Sequence, residues 1–287
     1  MSILKNKIDF VVVVEVHNAN PNGDPLSGNM PRTTSEGYGE ISDVCLKRKI
    51  RNRLLDMGEN IFVQSDCKNV DGYGSLRERA DHNEAFKKEL GKGKKADSGE
   101  ASKVACAQWM DVRTFGQVFA FKGSEMSLGI RGPVSIHPAF SVEPVDSTSL
   151  QITKSVNSEK TDGGKASDTM GMKHRVDFGI YVIKGSINVQ LAEQTGFTEE
   201  DAEKVKEALR TLFINDSSAA RPDGSMEVVT VYWWKHNCKI GQYSSKKVHD
   251  SVVIEKKVDV SNAKSWEHYN VTYNQLEGLE MEIIEGI

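Results

Sequence analysis

Apolar residues in this chain gather in short β-branched runs and in two helical stripes. Ile8 to Val16 is such a run, bounded by polar residues, and its length and branching predict a buried strand. A polar stretch from His17 to Glu40 follows. It carries Asn20-Pro21-Asn22-Gly23-Asp24-Pro25, a dense set of turn formers. A loop of that length implies a task of its own or mobility. From Ser42 to Met57 the period becomes helical. Leu46, Ile50, Leu54 and Met57 share one face, Ser42 or Asp43 suits the cap, and Glu36, Glu40 and Asp43 suit the positive helix end. In the second stripe, Thr198 to Phe213, Thr198 caps with Asp201 three residues on. Ala202, Val205, Leu209, Leu212 and Phe213 form its buried side.

Between the helices the pattern is less regular. Lys87 to Lys103 lacks an apolar period and predicts a flexible loop. Val112 to Phe121 predicts a strand or strand-loop. Ser127 to Ile136, with Gly129, Gly132 and Pro133, predicts an irregular strand with a bulge or a close backbone approach. Asn157 to Met172 predicts a projecting loop. Arg175 to Val189 alternates as one or two strands, with Gly185 as a turn. Glu227 to Trp234 and Val252 to Val258 predict further strands, and the acidic C-terminus a peripheral segment. The order strand, helix, several strands, helix, strand is compatible with an α+β fold, a ferredoxin-like or RRM-like βαββαβ core with large insertions.

The 287 residues are enough for one large domain or two small ones, and the net charge of −4 argues against a protein that coats DNA through overall basicity. A local basic stripe remains compatible with nucleic-acid binding. Cys45, Cys67, Cys106 and Cys238 form no CxxC pair, and the polar N-terminus does not resemble a secretory leader, so free thiols in a reducing cytoplasm are expected. The longest apolar run, Phe10 to Val14, is too short to cross a bilayer.

The first helix carries the most chemistry. Lys47, Arg48, Lys49, Arg51 and Arg53 lie between Cys45 and Leu55 with no acid among them. Lys47 and Arg51 flank one side of the apolar stripe, Lys49 and Arg53 the other, and like charges four apart repel. A helix that accepts this repulsion suits a phosphate backbone, or equally a solvated basic face. Arg32 stands beside two hydroxyls in Met30-Pro31-Arg32-Thr33-Thr34. Arg113 and Phe115 place a cation near an aromatic ring that could stack on a base, and Lys173, His174 and Arg175 form a second basic cluster. Each of these also reads as ordinary surface or core. No Walker loop, dinucleotide fingerprint, HExxH or GxSxG motif occurs, and no cofactor is expected.

The opening strand, the HNANPNGDPLSGNMPRT loop and the ISDVCLKRKIRNRL helix together resemble the backbone subunit, of the RAMP superfamily, of type I-C CRISPR Cascade complexes. GIRGPVSI and KHRVDFGIYVIKGSINV extend the resemblance in order over most of the chain. It implies a modified RRM-like palm with a finger region near 60–125 and a thumb-like loop near 140–175. It also implies copies lined along a CRISPR guide RNA (crRNA) that present it to target DNA beside other Cascade subunits, in a prokaryotic cytoplasm. Carried over, Lys47, Arg48 and Arg51 would grip the guide, with Arg32 beside them. Arg113 and Phe115 would lie on the finger side, and Lys173, His174 and Arg175 at the thumb base. Bases must stay free to pair, so such contacts would go to phosphates.

Three other readings stay open. Type III relatives cleave RNA with a loop aspartate, and Asp24 occupies a comparable early loop; the turn-forming Asn-Gly-Asp-Pro favours a structural role, and no catalysis is expected. A duplex-DNA autoregulator would present polar readers at the start of its recognition helix, whereas here the cations lie mid-helix. A protein-only scaffold would assemble without RNA.

Overall fold

The computed structural model describes residues 2–92, 97–121, 127–153 and 170–287. Strand β1 (Ile8–Ala19) runs through an eight-stranded sheet. Phe10, Val12, Val14 and Val16 point into one core, while Val11 and Val13 point into another on the opposite face. A strand covered on both sides can be apolar at consecutive positions, hence the unbroken run in the sequence.

On one side β1 pairs antiparallel with β10 (Met170–Ile187), on the other with β11 (Met226–Lys235). The sheet order is β14 (Met281–Glu285), β11, β1, β10, β8 (Ala139–Pro144), β4 (Tyr38–Ile41). β7 (Val134–Ile136) and β9 (Ser147–Thr153) also pair with β10. The result is a mixed α/β fold around a large antiparallel sheet.

Gly185 does not turn the chain, because β10 is one strand of 18 residues. It lies opposite Phe10 in the register, and a Cβ there would come 2.2 Å from Phe10 Cζ. The glycine makes room for a ring. The acidic C-terminus lies at the periphery as expected, and there it is a strand: β14 pairs with β11 and forms one edge of the main sheet.

On the first face lie α1 (Asp43–Asp56), α6 (Val189–Thr195) and α7 (Glu199–Arg210). Ser42 caps α1, its hydroxyl accepting from Cys45 N–H at 3.3 Å, and Leu46, Ile50 and Leu54 are fully buried. Thr198 and Asp201 form a reciprocal capping box on α7. On the second face, α8 (Ser245–His249) and the ribbon of β12 (Val252–Lys256) and β13 (Tyr269–Tyr273) supply Val248 and Tyr269 to the core that holds Tyr232 and Trp234.

A third core lies in an insertion between β4 and β7. There α2 (Leu76–His82), α3 (Glu84–Leu90), α4 (Ser98–Gln108), α5 (Met110–Phe115) and the ribbon of β5 (Gly116–Ala120) and β6 (Ser127–Arg131) surround Phe62, Phe86, Trp109 and Phe119. The Phe62–Trp109 and Phe86–Phe119 centroids are both 4.7 Å apart, a favourable aromatic spacing. The flexible loop expected over Lys87–Lys103 is therefore corrected: its described residues include the end of α3 and the start of α4. Asp97 caps α4, and Ala101, Ala105 and Cys106 form a buried face made of small residues, which a count of large apolar side chains passes over. Val112–Phe121 is helical through Phe115 before β5 begins. The close approach expected at Gly132 is present, since a Cβ there would lie 2.3 Å from Thr114 O. Of the projecting loop expected over Asn157–Met172, residues 157–169 lie outside the described residues, and Met170–Met172 open β10. Among the described residues no helix is long and apolar enough to cross a membrane.

A buried charge cluster fastens the second-face lobe to the sheet. Asp9 of β1 is fully buried and accepts from Lys7 Nζ and His236 Nε2, each at 2.8 Å. His236 Nδ1 accepts from Gln242 N–H, which fixes the tautomer. His249 Nε2–H donates to Gly185 O at 2.9 Å. Burial alone would raise the Asp9 pKa, but the hydrogen bonds from His236 and Lys7 outweigh it and hold it below its ordinary 3.8. Burial pushes His249 below its ordinary 6.5. Both groups thus release protons on folding, and both contribute stability above their unfolded values that is lost on acidification. Urea midpoints should hold just above pH 6.5, fall first as His249 titrates below that value, and fall again below pH 3.8 as Asp9, together with Asp24, Asp71, Asp201 and Asp250, gains a proton. His249→Gln should remove the first step.

Candidate nucleic-acid interface

The five cations of α1 do not stand free. Lys47 Nζ lies 3.1 Å from Asp43. Arg48 donates to Val63 O at 2.7 Å. Lys49 is buried against Asp216 and over the Phe213 ring; burial lowers its pKa, with Asp216 opposing. Arg51 Nε donates to Asp111 Oδ2 at 3.0 Å, and its guanidinium lies 5.0 Å from the Phe115 centroid. Arg53 Nε donates to Thr211 Oγ1 at 2.7 Å. Asp43 within α1, and acids and oxygens from more distant segments, offset the repulsion read from the sequence, so the repulsion itself does not call for an external anion.

The Arg51 link is largely buried, and so is a further one made by Arg113 of α5. Asp111 is nearly inaccessible and also accepts from the N–H groups of Phe62 and Val63, at 2.7 and 3.0 Å. Arg113 forms a two-pronged bond to Asp201, Nε to Oδ2 at 3.0 Å and Nη2 to Oδ1 at 2.7 Å. Burial works against the Asp201 charge, but Arg113 and the Thr198 cap hold its pKa below the usual range. Phe115 is half-buried and packs on the first-face core beneath Arg51.

Elsewhere the pairing is looser. The His17–Glu40 stretch folds back on α1: Asn22 Oδ1 accepts from Ser42 N–H at 2.9 Å and from its hydroxyl at 2.8 Å, while Asn20 Nδ2 donates to Asn29 O at 2.7 Å. This carries Arg32 to the start of α1. Arg221, between α7 and β11, comes to the same place. Lys49 and Arg221 share Asp216, and Arg221 Nη1 reaches Asn20 O in the loop that carries Arg32; burial raises the pKa of the Cys45 thiol nearby. Arg32 Nη2 is 3.4 Å from Asp24, and Arg221 Nε is 3.4 Å from Asp216. Neither Nε finds a hydrogen-bond acceptor. The side chains keep 35% and 28% of their surface in solvent, although both Nε atoms are themselves buried. Three cations thus face two carboxylates, which leaves an excess of positive charge at a partly exposed surface. That combination suits a phosphate group.

Asp24 lies in a short ribbon, β2 (Gly23–Asp24) with β3 (Met30–Pro31). Its carboxylate accepts from Leu26 N–H at 3.2 Å and Ser27 Oγ at 2.9 Å, and these bonds, with nearby Arg32, hold its pKa below the ordinary value. Lys173, His174 and Arg175 sit far along β10, where it pairs with β9. Lys173 is exposed, His174 Nδ1 meets Ser149 Oγ at 2.7 Å, and Arg175 Nε is 3.4 Å from Asp177.

The fold therefore gathers Arg32, Lys49 and Arg221 at one end of α1. It sets Arg48, Arg51, Arg113 and Phe115 along the seam with the insertion, and places Lys173, His174 and Arg175 on a separate ribbon. Arg221 carries no local signal in the sequence, lying in a plain Ala-Ala-Arg-Pro connector. Asn20 and Asn22 read there as turn formers, and their clamping of the loop shows only in three dimensions.

The buried and exposed cations should separate by stability. Asp111→Ala strands Arg51 and two backbone N–H groups and should cost about 3–5 kcal/mol. Arg32→Ala or Arg221→Ala, which removes a loosely paired surface cation, should cost no more than about 1 kcal/mol. Chemical denaturation of the three variants measures both.

The family model described as CRISPR-associated protein Cas7 matches residues 6–274. A protein from Haloferax volcanii, named CRISPR-associated protein Cas7, is 27% identical over 223 residues; the alignment covers 70% of this chain and 62% of that protein, less than two thirds of its length. A chain from a solved CRISPR RNA-guided surveillance complex, pre-nicking, superposes with a TM-score of 0.49 at 15% identity, covering 79% of this chain and 78% of that one. A chain from another solved CRISPR RNA-guided surveillance complex gives 0.40 at 17% identity, covering 79% and 68%. With the family model spanning nearly the whole sequence, the chain belongs to the Cas7 family of CRISPR-associated proteins.

Proposed function

We propose that this chain is a non-catalytic RNA-binding backbone subunit of a type I-C CRISPR surveillance complex. Copies line the crRNA beside other Cascade subunits and hold it for pairing with target DNA in a prokaryotic cytoplasm. The observation that carries the reading is the cluster of Arg32, Lys49 and Arg221, where three cations face two carboxylates and the two arginine side chains are partly exposed, in a Cas7-family chain. Phosphates of the guide balance that excess charge, which leaves its bases free.

The order β11-β1-β10-β8, with α1 following β1 and α7 following β10, supports reading the sheet as a ferredoxin-like palm. The insertion with its own aromatic core serves as the finger region near 60–125, and the β9–β10 arm belongs to the thumb-like element near 140–175. Lys173, His174 and Arg175 contact the guide from that arm. Lys47 and Arg48 line the path beside the cradle. Arg51, Arg113 and Phe115 support it by holding the seam.

Asp24 as a nuclease carboxylate is the alternative. Both of its oxygens accept hydrogen bonds within its own turn, which favours a capping role. Metal-dependent cleavage of RNA paired to a bound guide, lost in Asp24→Ala, would overturn the non-catalytic reading.

Binding of single-stranded RNA of guide length, measured across salt, tests the proposal. Each phosphate contact removed should flatten the log–log slope by about 0.7. Arg32→Glu with Arg221→Glu should flatten it by more than one contact and weaken binding at least tenfold, with the fold retained. Unchanged binding by this variant, or tight sequence-dependent binding of duplex DNA without RNA, would contradict it.

A further inference from the structure

The second-face lobe carries a surface unrelated to the basic cluster at the start of α1. Two depressions meet there. One, of about 940 Å³, is walled by Trp234, Tyr273 and Ile283 and holds Glu277 and Glu280. The other, of about 410 Å³, is lined by Lys246 and Lys247 of α8 and by Asp250. Ser251, Asn274 and Leu276 line both, so they form the ridge between them. Tyr273 is 42% exposed and Ile283 53%, which leaves apolar surface open beside the ridge.

The charges divide at this ridge. No cation lines the first depression, and among the described residues no ion pair engages Glu277 or Glu280. Glu282 lies on the opposite face of β14, where Lys206 holds it at 3.0 Å. In the second depression Asp250 is shared by Lys246 and by Lys184, the latter at 3.3 Å. Lys246 is still 86% exposed, and the Lys247 ammonium meets the Tyr243 ring, 4.5 Å from its centroid, and no acid. Two unpaired carboxylates therefore stand on one side and a surplus of cations on the other. Both sides are held in place, since Tyr243 Oη donates to Glu277 O at 2.9 Å and Gln242 Nε2 to Gly278 O at 2.6 Å.

This division selects an occupant. An apolar ridge with opposite charge on its two sides is complementary to itself. A copy turned by half a revolution about an axis through the ridge lays its lysines on the glutamates and its glutamates on the lysines, with apolar surface between. A partner of a single sign would match one side and be repelled by the other. We propose that this face is a two-fold contact between two copies of the chain, centred on Leu276. Such a contact closes at two copies, so it is separate from a line of copies along RNA and forms without RNA.

Sedimentation of the full chain, freed of nucleic acid, measures the pairing. The wild type should pass from monomer to dimer through the micromolar range, and less readily in high salt. Lys246→Glu with Lys247→Glu should weaken the dimer by about tenfold or more, and so should Glu277→Lys with Glu280→Lys, because each sets like charges together at both ends of the contact. An equimolar mixture of the two variants should pair again, as should the chain carrying all four substitutions, and both should stop at the dimer. Carbodiimide coupling of mixed light and heavy-isotope wild-type chains should join Lys246 or Lys247 of one copy to Glu277 or Glu280 of the other. That readout needs no variant, so a substitution that fails to fold leaves the test intact. A wild type that stays monomeric throughout that range, a dimer indifferent to both reversals, or growth beyond two copies that the reversals abolish would each overturn the proposal.

Discussion

Asp111 is a carboxylate that water hardly reaches, and it answers three donors at once: Arg51 Nε, Phe62 N–H and Val63 N–H. A buried charge of this kind persists only if its partners are held in place. It joins α1, the chain entering the insertion, and α5. Two residues on along α5, Arg113 makes its paired bonds to Asp201, which also closes the capping box of α7. The seam between the main sheet's helices and the aromatic core of the insertion thus rests on two charged links, with the Arg51–Phe115 contact between them.

These links decide which cations are available to a ligand. Arg51 and Arg113 are already matched by charge and geometry, and drawing either toward a phosphate would expose a stranded carboxylate. Arg32 and Arg221 sit at 3.4 Å from their acids, and each side chain keeps more than a quarter of its surface in solvent. Gripping an anion costs them little. The same protein can therefore use one set of arginines as structure and another as interface, although residue type alone does not separate the sets.

Much of the fold was legible in the sequence because it follows from local periodicity. The β-branched run at Ile8, the Ser42 cap with its Leu46–Ile50–Leu54 stripe, and the Thr198–Asp201 box all depend on residues within a few positions of one another. What escaped depends on distant partners. Gly185 looked like a turn because its reason, the Phe10 ring, lies on another strand. The α4 helix looked flexible because its buried face uses alanines and a cysteine. β14 was not legible as a strand, because a short acidic strand is defined by its pairing to β11. At the candidate interface, Arg32 was visible from its polar loop, while Arg221 and the clamping by Asn20 and Asn22 emerged only when the connector before β11 met the start of α1. The basic character of α1 was plain, but its partners, Asp111, Asp216, Val63 O and Thr211, come from four separate places.

The central claim is that the under-partnered guanidiniums, and not the committed ones, meet the phosphate backbone. Arginine guanidinium resonances, followed by NMR during titration with oligouridylate, read this directly. The Arg32 and Arg221 signals should shift, while those of Arg51 and Arg113 stay in place. Large shifts at Arg51 or Arg113 with Arg32 and Arg221 unmoved would contradict the account.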